Sequence, residues 1–262
     1  MSAFAANARV VRALGMRSIR QTFRRPQLIA PIIVFPTILL AIQTGGAGAA
    51  INLPGFPQVQ SFLQFMLAGA MMQSLILAGN SGAIALAIEI ETGFTDRLLA
   101  SPIARFTIVL GRLAGTGALA LFGALWFLAI GLIFGAEIDG GVPGALVSIA
   151  LAGAAALALG GIVAAIALRT GNSSVVQGLF PLVFVVLFLS TAFFPQDLMV
   201  EPAKSIAVYN PLSYIVEGIR GPIISGVSAS DVADAVLTIA GIGALSVFLS
   251  ARALRYRLRT GG

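Results

Sequence analysis

The chain has 262 residues, of which 58% are hydrophobic and 10% charged, and sixteen Lys and Arg against ten Asp and Glu leave a net charge of +6. That apolar excess excludes a soluble globular domain, and with no long basic tract the positive balance speaks for orientation in a bilayer, not for nucleic-acid binding. The absence of Cys and His removes disulfides, thiolate or Ser/His nucleophiles and the usual zinc and haem ligands.

Residues 1–26 open the chain with Arg9, Arg12, Arg17, Arg20 and Arg24, which gather on one side of a helix at about 100° per residue, with Val10, Val11, Leu14 and Ile19 largely opposite. This predicts an amphipathic helix lying in the inner interface, serving as an anchor against anionic lipid, as a mechanical lever, or as both. A membrane span needs about 20 largely apolar residues. Six stretches with at most one charge, Asp234 near the start of the last, qualify: 28–46, 62–88, 113–134, 144–168, 175–195 and 232–251. The first follows Arg24, Arg25 and Pro26 and has no small-residue cleavage site, so a retained helix is expected. Gly111 with Gly115, Gly131 with Gly135, and the run from Ala152 to Ala156 leading to Gly160 and Gly161 predict close helix packing. With no internal repeat or linker, residues 1–262 read as one domain of an all-α integral membrane protein with six transmembrane helices.

The positive-inside rule then sets the orientation. Fourteen Arg fall before the first span, between spans two and three, between four and five, and after the sixth, whereas only Lys204 and Arg220 fall on the other side. The opposite loops collect Glu137, Asp139, Asp197, Glu201, Glu217, Asp231 and Asp234. Both termini are therefore expected in the cytoplasm, N-in and C-in.

Ion-coupled carriers usually keep ionisable groups inside their spans, and none of the six cores has one. The polar groups there are Gln43, Gln64, Gln73, Ser74, Asn80, Gln177, Ser190 and Thr191, which line a passage or bond between helices. A phosphate-cradling loop is also missing, since the sole lysine, Lys204, follows Ala203 in an outer loop. The spans hold no paired carboxylates, metal ligands or activated nucleophile, which disfavours an intramembrane enzyme. No cofactor is expected in this chain, so any ATPase must be another chain that delivers work to a cytoplasmic surface. A scaffold or facilitator needing no such partner is the rival from another class.

The one substantial cytoplasmic loop, 89–105, suits a docking element. Gly93 permits a sharp turn, Thr95 can cap a short helix running to about Ala100, and Pro102 ends it. Phe94, Leu98 and Leu99 would face water unless a partner's cleft covered them. With Glu89, Glu91, Gly93, Asp96, Arg97, Leu98, Leu99, Pro102 and Arg105, the loop resembles that of the membrane subunits of type-2 ABC exporters, and among them the daunorubicin-resistance-like permeases. Many members have Gly-Thr where this chain has Gly93-Phe94-Thr95. The resemblance implies that this is the coupling helix, seated in a separate ABC ATPase that binds ATP and Mg.

A second resemblance lies in the outer loop, 196–231: Phe194-Pro195, Pro202, and Tyr209-Asn210-Pro211-Leu212-Ser213-Tyr214 followed by Glu217, Gly218 and Arg220 look like the family's signature segment. Met199 to Val208 and Leu212 to Ile224 are too short to span, so re-entrant or interfacial helices broken at Asn210-Pro211 are expected, with Glu217 and Arg220 paired at i,i+3. The segment reads as a packed lid or as an outer gate, the latter built on Pro195, Asn210, Pro211, Tyr214, Glu217 and Arg220. The resemblance further implies two permease subunits, a homodimer or a pair of paralogues, two ATPase copies below them, and a location in a bacterial plasma membrane.

Alternating access is the mechanism expected of such a subunit, with spans two and five rearranging around a passage. Gln64, Gln73, Asn80, Gln177, Phe180, Phe184 and Phe188 are candidates for its lining, although a phenylalanine stripe is more often packing. Gly178 and Pro181 are softening points in span five. With aromatics at 8%, a sugar-stacking passage is disfavoured and an amphipathic drug or lipid is the expected cargo, export of a polysaccharide or glycolipid being the alternative.

Overall fold

The computed structural model describes residues 3–24, 26–94 and 105–260. Ten α-helices follow in order among them: α1 (Ala3–Phe23), α2 (Pro26–Ala47), α3 (Phe62–Glu91), α4 (Arg105–Ile133), α5 (Gly141–Thr170), α6 (Ser173–Gly178), α7 (Phe180–Phe188), α8 (Ala203–Tyr209), α9 (Pro211–Ile224) and α10 (Ala229–Thr260). Two short 3₁₀ turns, Gly48–Asn52 and Gln196–Leu198, complete the described elements, and no strand is among them. Five segments are long and apolar enough to cross a membrane: Ile29–Asn52, Phe62–Glu91, Leu113–Ile133, Gly141–Thr170 and Ala229–Arg257. These coincide with spans one, two, three, four and six of the sequence reading. The fifth stretch does not form one helix. It divides into α6 and α7, and residues 189–195 leave the helix altogether.

The cause of the division is local. Pro181 has no N–H to donate to the Gln177 carbonyl, and Gly178 weakens the preceding turn, so the ladder is interrupted. Asn172 starts α6 as N-cap, its Oδ1 accepting from the N–H groups of Ser174 at 2.9 Å and Val175 at 3.3 Å.

α3 is the axis of the bundle. From Phe62 to Gly79 every residue is buried, and α2, α4, α5 and α9 pack around it. Small residues permit this approach: a Cβ on Gly79 would lie 2.9 Å from the Gly160 Cα of α5, so the two helices cross backbone to backbone. Gly111 and Gly115, expected to mediate helix packing, do so by receiving Leu14 and Ser18 of α1, which seats the N-terminal helix on α4. The outer faces of α2, α4 and α10 carry exposed Phe35, Ile38, Leu125, Trp126, Leu237 and Phe248. Apolar residues outside and inside alike mark helices that a bilayer surrounds.

Candidate functional site

Two polar assemblies stand out, one at each end of the bundle. The first is built on α9. Its start is fixed by Asn210, whose Oδ1 accepts from Leu212 N–H at 2.9 Å while its Nδ2 donates to the Val186 carbonyl of α7 at 2.7 Å. Pro211 occupies the first turn, where its missing N–H costs nothing. Ser213 Oγ accepts from Thr191 N–H at 3.2 Å and donates to the Ala207 carbonyl at 2.7 Å, and Tyr214 donates to the Val208 carbonyl at 3.0 Å. The break at Asn210-Pro211 is thus tied to α8 on one side and α7 on the other.

Arg220 sits at the centre and is 1% exposed. Its Nη1 donates to Glu217 Oε1 at 2.6 Å, its Nη2 to the carbonyls of Thr191 and Ala192 at 2.9 Å each, and its Nε to the Phe65 carbonyl at 3.3 Å. The guanidinium also lies 3.9 Å from the centroid of the Phe65 ring. Thr191 Oγ1 donates to the same Glu217 oxygen at 2.6 Å. A planar fork spreads its donors over several acceptors, which is what makes a buried charge tolerable here.

The other end of α9 is held as firmly. Asp139 N–H and Gly140 N–H donate to the carbonyls of Ile223 and Pro222 at 2.9 and 3.1 Å, satisfying acceptors that every helix C-terminus leaves open. Gln64 Nε2 donates to Glu137 O at 3.0 Å, Asp139 Oδ1 at 3.2 Å and Ile223 O at 3.3 Å. Beside this assembly opens a cleft of about 560 Å³, lined among others by Phe56, Phe65, Pro195, Asp197, Tyr214 and Glu217.

The second assembly lies where α3 ends. Thr92 Oγ1 turns back to the Ile88 carbonyl at 2.9 Å, and Gly93 takes a φ of +68°, the sharp turn expected of it. Glu89 Oε1 stands 3.9 Å from Arg17 Nη2 of α1, and the Arg17 guanidinium lies 4.0 Å from the centroid of the Phe94 ring. Glu91 reaches the other way: Oε1 accepts from Ser173 N–H at 2.6 Å and Oε2 from Ser173 Oγ at 3.2 Å. Asp96, Arg97, Leu98, Leu99 and Pro102 lie outside the described residues, and Arg105 opens α4.

The candidate passage residues are not brought together. Gln64 belongs to the assembly around α9, and sixteen residues further along α3, about 24 Å by helical rise, Asn80 edges a cavity of about 120 Å³ with Phe180 and Val183. Gln177 is exposed and bonds only within its own turn, to the Ser173 carbonyl at 3.4 Å. Phe180, Phe184 and Phe188 form a packed row with ring centroids 4.6 and 6.3 Å apart, continued by Phe193 stacked on Phe188 at 4.7 Å. Gln73 is fully buried, and neither atom of its amide has a hydrogen-bond partner in the structure. Sequence reasoning missed Ser213 and Asp139 as bracing groups and Ser173 as the partner of Glu91, because each acts through a backbone atom or a loop distant in sequence.

These features define a polytopic α-helical membrane protein with a buried, hydrogen-bonded segment around α9. The chain belongs to the ABC-2 type transporter family, whose profile matches residues 9–224. It is similar to proteins that carry the name transport permease ycf38. The relative from Porphyra purpurea is 29% identical over 219 residues, 80% of this chain and 72% of its own length. The one from Pyropia yezoensis is 27% identical over 217 residues with the same coverage, and that from Cyanophora paradoxa is 26% identical over 165 residues, 61% of this chain and 56% of its own.

Proposed function

We propose that the chain is the membrane subunit of an ATP-driven exporter, with both termini in the cytoplasm and six crossings, the short α6–α7 pair serving as the fifth. Two such subunits pair, and two copies of a separate ATPase seat beneath them on the loop 89–105. The observation that carries this reading is the arrangement at the end of α3: Glu89 and Glu91, which open that loop, are bonded to the interfacial helix α1 and to the start of α6 respectively. A push on the loop therefore reaches two elements at once. Family membership supports the ATPase partnership, and the spans, free of ionisable groups in their cores, support an energy source outside the chain.

ATP acts through its preference for one arrangement of the partner, so the permease alternates between states that open inward and outward. The cargo is an amphipathic small molecule or a lipid taken from the cytoplasm or the inner leaflet, in keeping with a chain in which only 8% of residues are aromatic. The braced α9 segment with Glu217 and Arg220 is the outer gate. The chain itself catalyses nothing.

The test is assembly and activity of the complex. Permease and its ATPase are co-purified in lipid nanodiscs, and hydrolysis is measured for wild type and Leu98→Asp. A stable complex that the substitution dissolves, with loss of permease-dependent hydrolysis, is the expected result. Unchanged assembly and hydrolysis in Leu98→Asp would refute docking at this loop.

A further inference from the structure

We propose that Glu91 is the positioning residue that ties span five to the docking loop, so that α6 moves with the end of α3 and swings about the break at Gly178–Pro181. The proposal deepens the exporter reading above and rests on it for the source of the motion. Its geometry is independent of that reading.

Three observations converge. The first is the bidentate grip of Glu91 on Ser173, in which one carboxylate oxygen takes the backbone N–H and the other the hydroxyl, at 2.6 and 3.2 Å, across 82 residues of sequence. Charge-assisted bonds of this kind are short and directional. The second is the apolar contact beneath it. Val176 of α6 is fully buried in a small cluster with Ala83, Leu86, Ala87 and Ile90 of α3 and Val163 and Ala167 of α5, separate from the main core. α6 is therefore fastened to the last turns of α3 by a polar strut above and a side-chain knob below. The third is the discontinuity that follows: α6 ends at Gly178, α7 begins at Phe180, and Pro181 keeps the ladder open between them. A Cβ at Gly178 would meet no atom within 4 Å, so the junction has room to bend.

Glu89 and Glu91 thus divide one input between two outputs. Glu89 faces Arg17 of α1, whereas Glu91 holds α6, and Gly93 with Phe94 leads from both into the loop. When the loop is displaced, the carboxylate of Glu91 carries the start of span five with it, and α7, packed through its phenylalanine row, follows about the junction. Without the strut, α6 is held by apolar contacts such as that of Val176, and the loop moves without a matching shift of span five.

The chain has no cysteine, so labels can be placed without background. Spin labels at Val175→Cys and Arg252→Cys, diluted with unlabelled subunit in the ATPase complex in nanodiscs, report the position of span five relative to α10 with and without ATP, Mg and vanadate. In the wild-type background the separation shifts on nucleotide trapping. With Glu91→Ala the shift is lost, and with Glu91→Gln, whose amide oxygen can still accept from Ser173 N–H, part of the shift is retained. In the permease alone, amides 173–176 exchange about tenfold faster in Glu91→Ala, because the start of α6 has lost an acceptor. A full wild-type shift in Glu91→Ala, unchanged exchange at 173–176, or no shift in the wild type would each overturn the proposal. Leu98→Asp separates the two readings: if it leaves hydrolysis and the shift intact while Glu91→Ala abolishes the shift, docking at the loop is wrong and the strut stands.

Discussion

Arg220 shows how one residue organises the segment around α9. A guanidinium that is 1% exposed must exchange its hydration for protein acceptors, and it does so with three backbone carbonyls from α3 and the turn after α7 and one carboxylate oxygen of its own helix. Glu217 is less demanding, since its side chain remains 46% exposed. The two halves of the pair should therefore be unequal. Arg220→Met leaves a set of buried carbonyls and a carboxylate without their donor and is expected to cost about 3–5 kcal/mol, whereas Glu217→Gln keeps an oxygen for Thr191 and Arg220 and is expected to cost about 1 kcal/mol. Thermal unfolding of the two variants in detergent checks the order; equal midpoints would show that the carbonyl cradle contributes little. The i,i+3 spacing made the pair legible in the sequence. Its carbonyl partners were not, because a backbone acceptor has no residue type to announce it.

At the scale of helices, the sequence identified every long segment, and the error fell on the one that is discontinuous. Hydropathy counts apolar residues and is blind to a missing N–H, so 175–195 read as a single span although Gly178 and Pro181 were visible as weak points. The partner of Glu91 was hidden as well: the sequence placed Glu91 in the docking loop, and only the fold sets Ser173 of α6 beside it. The glycines separate two kinds of helix contact. A Cβ on Gly160 would come within 2.8 Å of the Gly79 Cα, so Gly160→Ala must push α3 and α5 apart at a cost of about 1–3 kcal/mol. Gly178→Ala meets no atom and adds helix propensity, so it should leave stability unchanged or raise it by about 0.5–1 kcal/mol. If the junction bends during transport, Gly178→Ala diminishes the nucleotide-driven shift at Val175 without lowering the unfolding midpoint. A lower midpoint would mean that Gly178 is needed for packing instead.

The whole molecule poses a question of parity. Among the described residues five helices are long and apolar enough to cross a bilayer, and α6–α7 together is shorter, spanning about 24 Å at 1.5 Å per residue against a hydrocarbon core of about 30 Å. With six crossings the two termini share a side, and with five they do not. The arginines argue for six: those of α1 and those at the end of α10 would otherwise lie across the membrane from one another, against the positive-inside rule. Residues 189–195, outside the helix but packed on α3 and bonded to Arg220 of α9 through Ala192, would supply the missing height of a sixth crossing in a region where protein, not lipid, surrounds the backbone. Single cysteines in this cysteine-free chain decide the matter. Met16→Cys and Arg252→Cys should both resist a membrane-impermeant maleimide on intact cells and react after permeabilisation, whereas Val200→Cys and Val227→Cys, exposed on either side of α9, should react at once. Labelling of Met16→Cys and Arg252→Cys from opposite sides would reduce the count to five and turn α6–α7 into a re-entrant element. Labelling of Val200→Cys and Val227→Cys from opposite sides would make α9 a crossing, which its 14 residues and its buried Arg220 argue against.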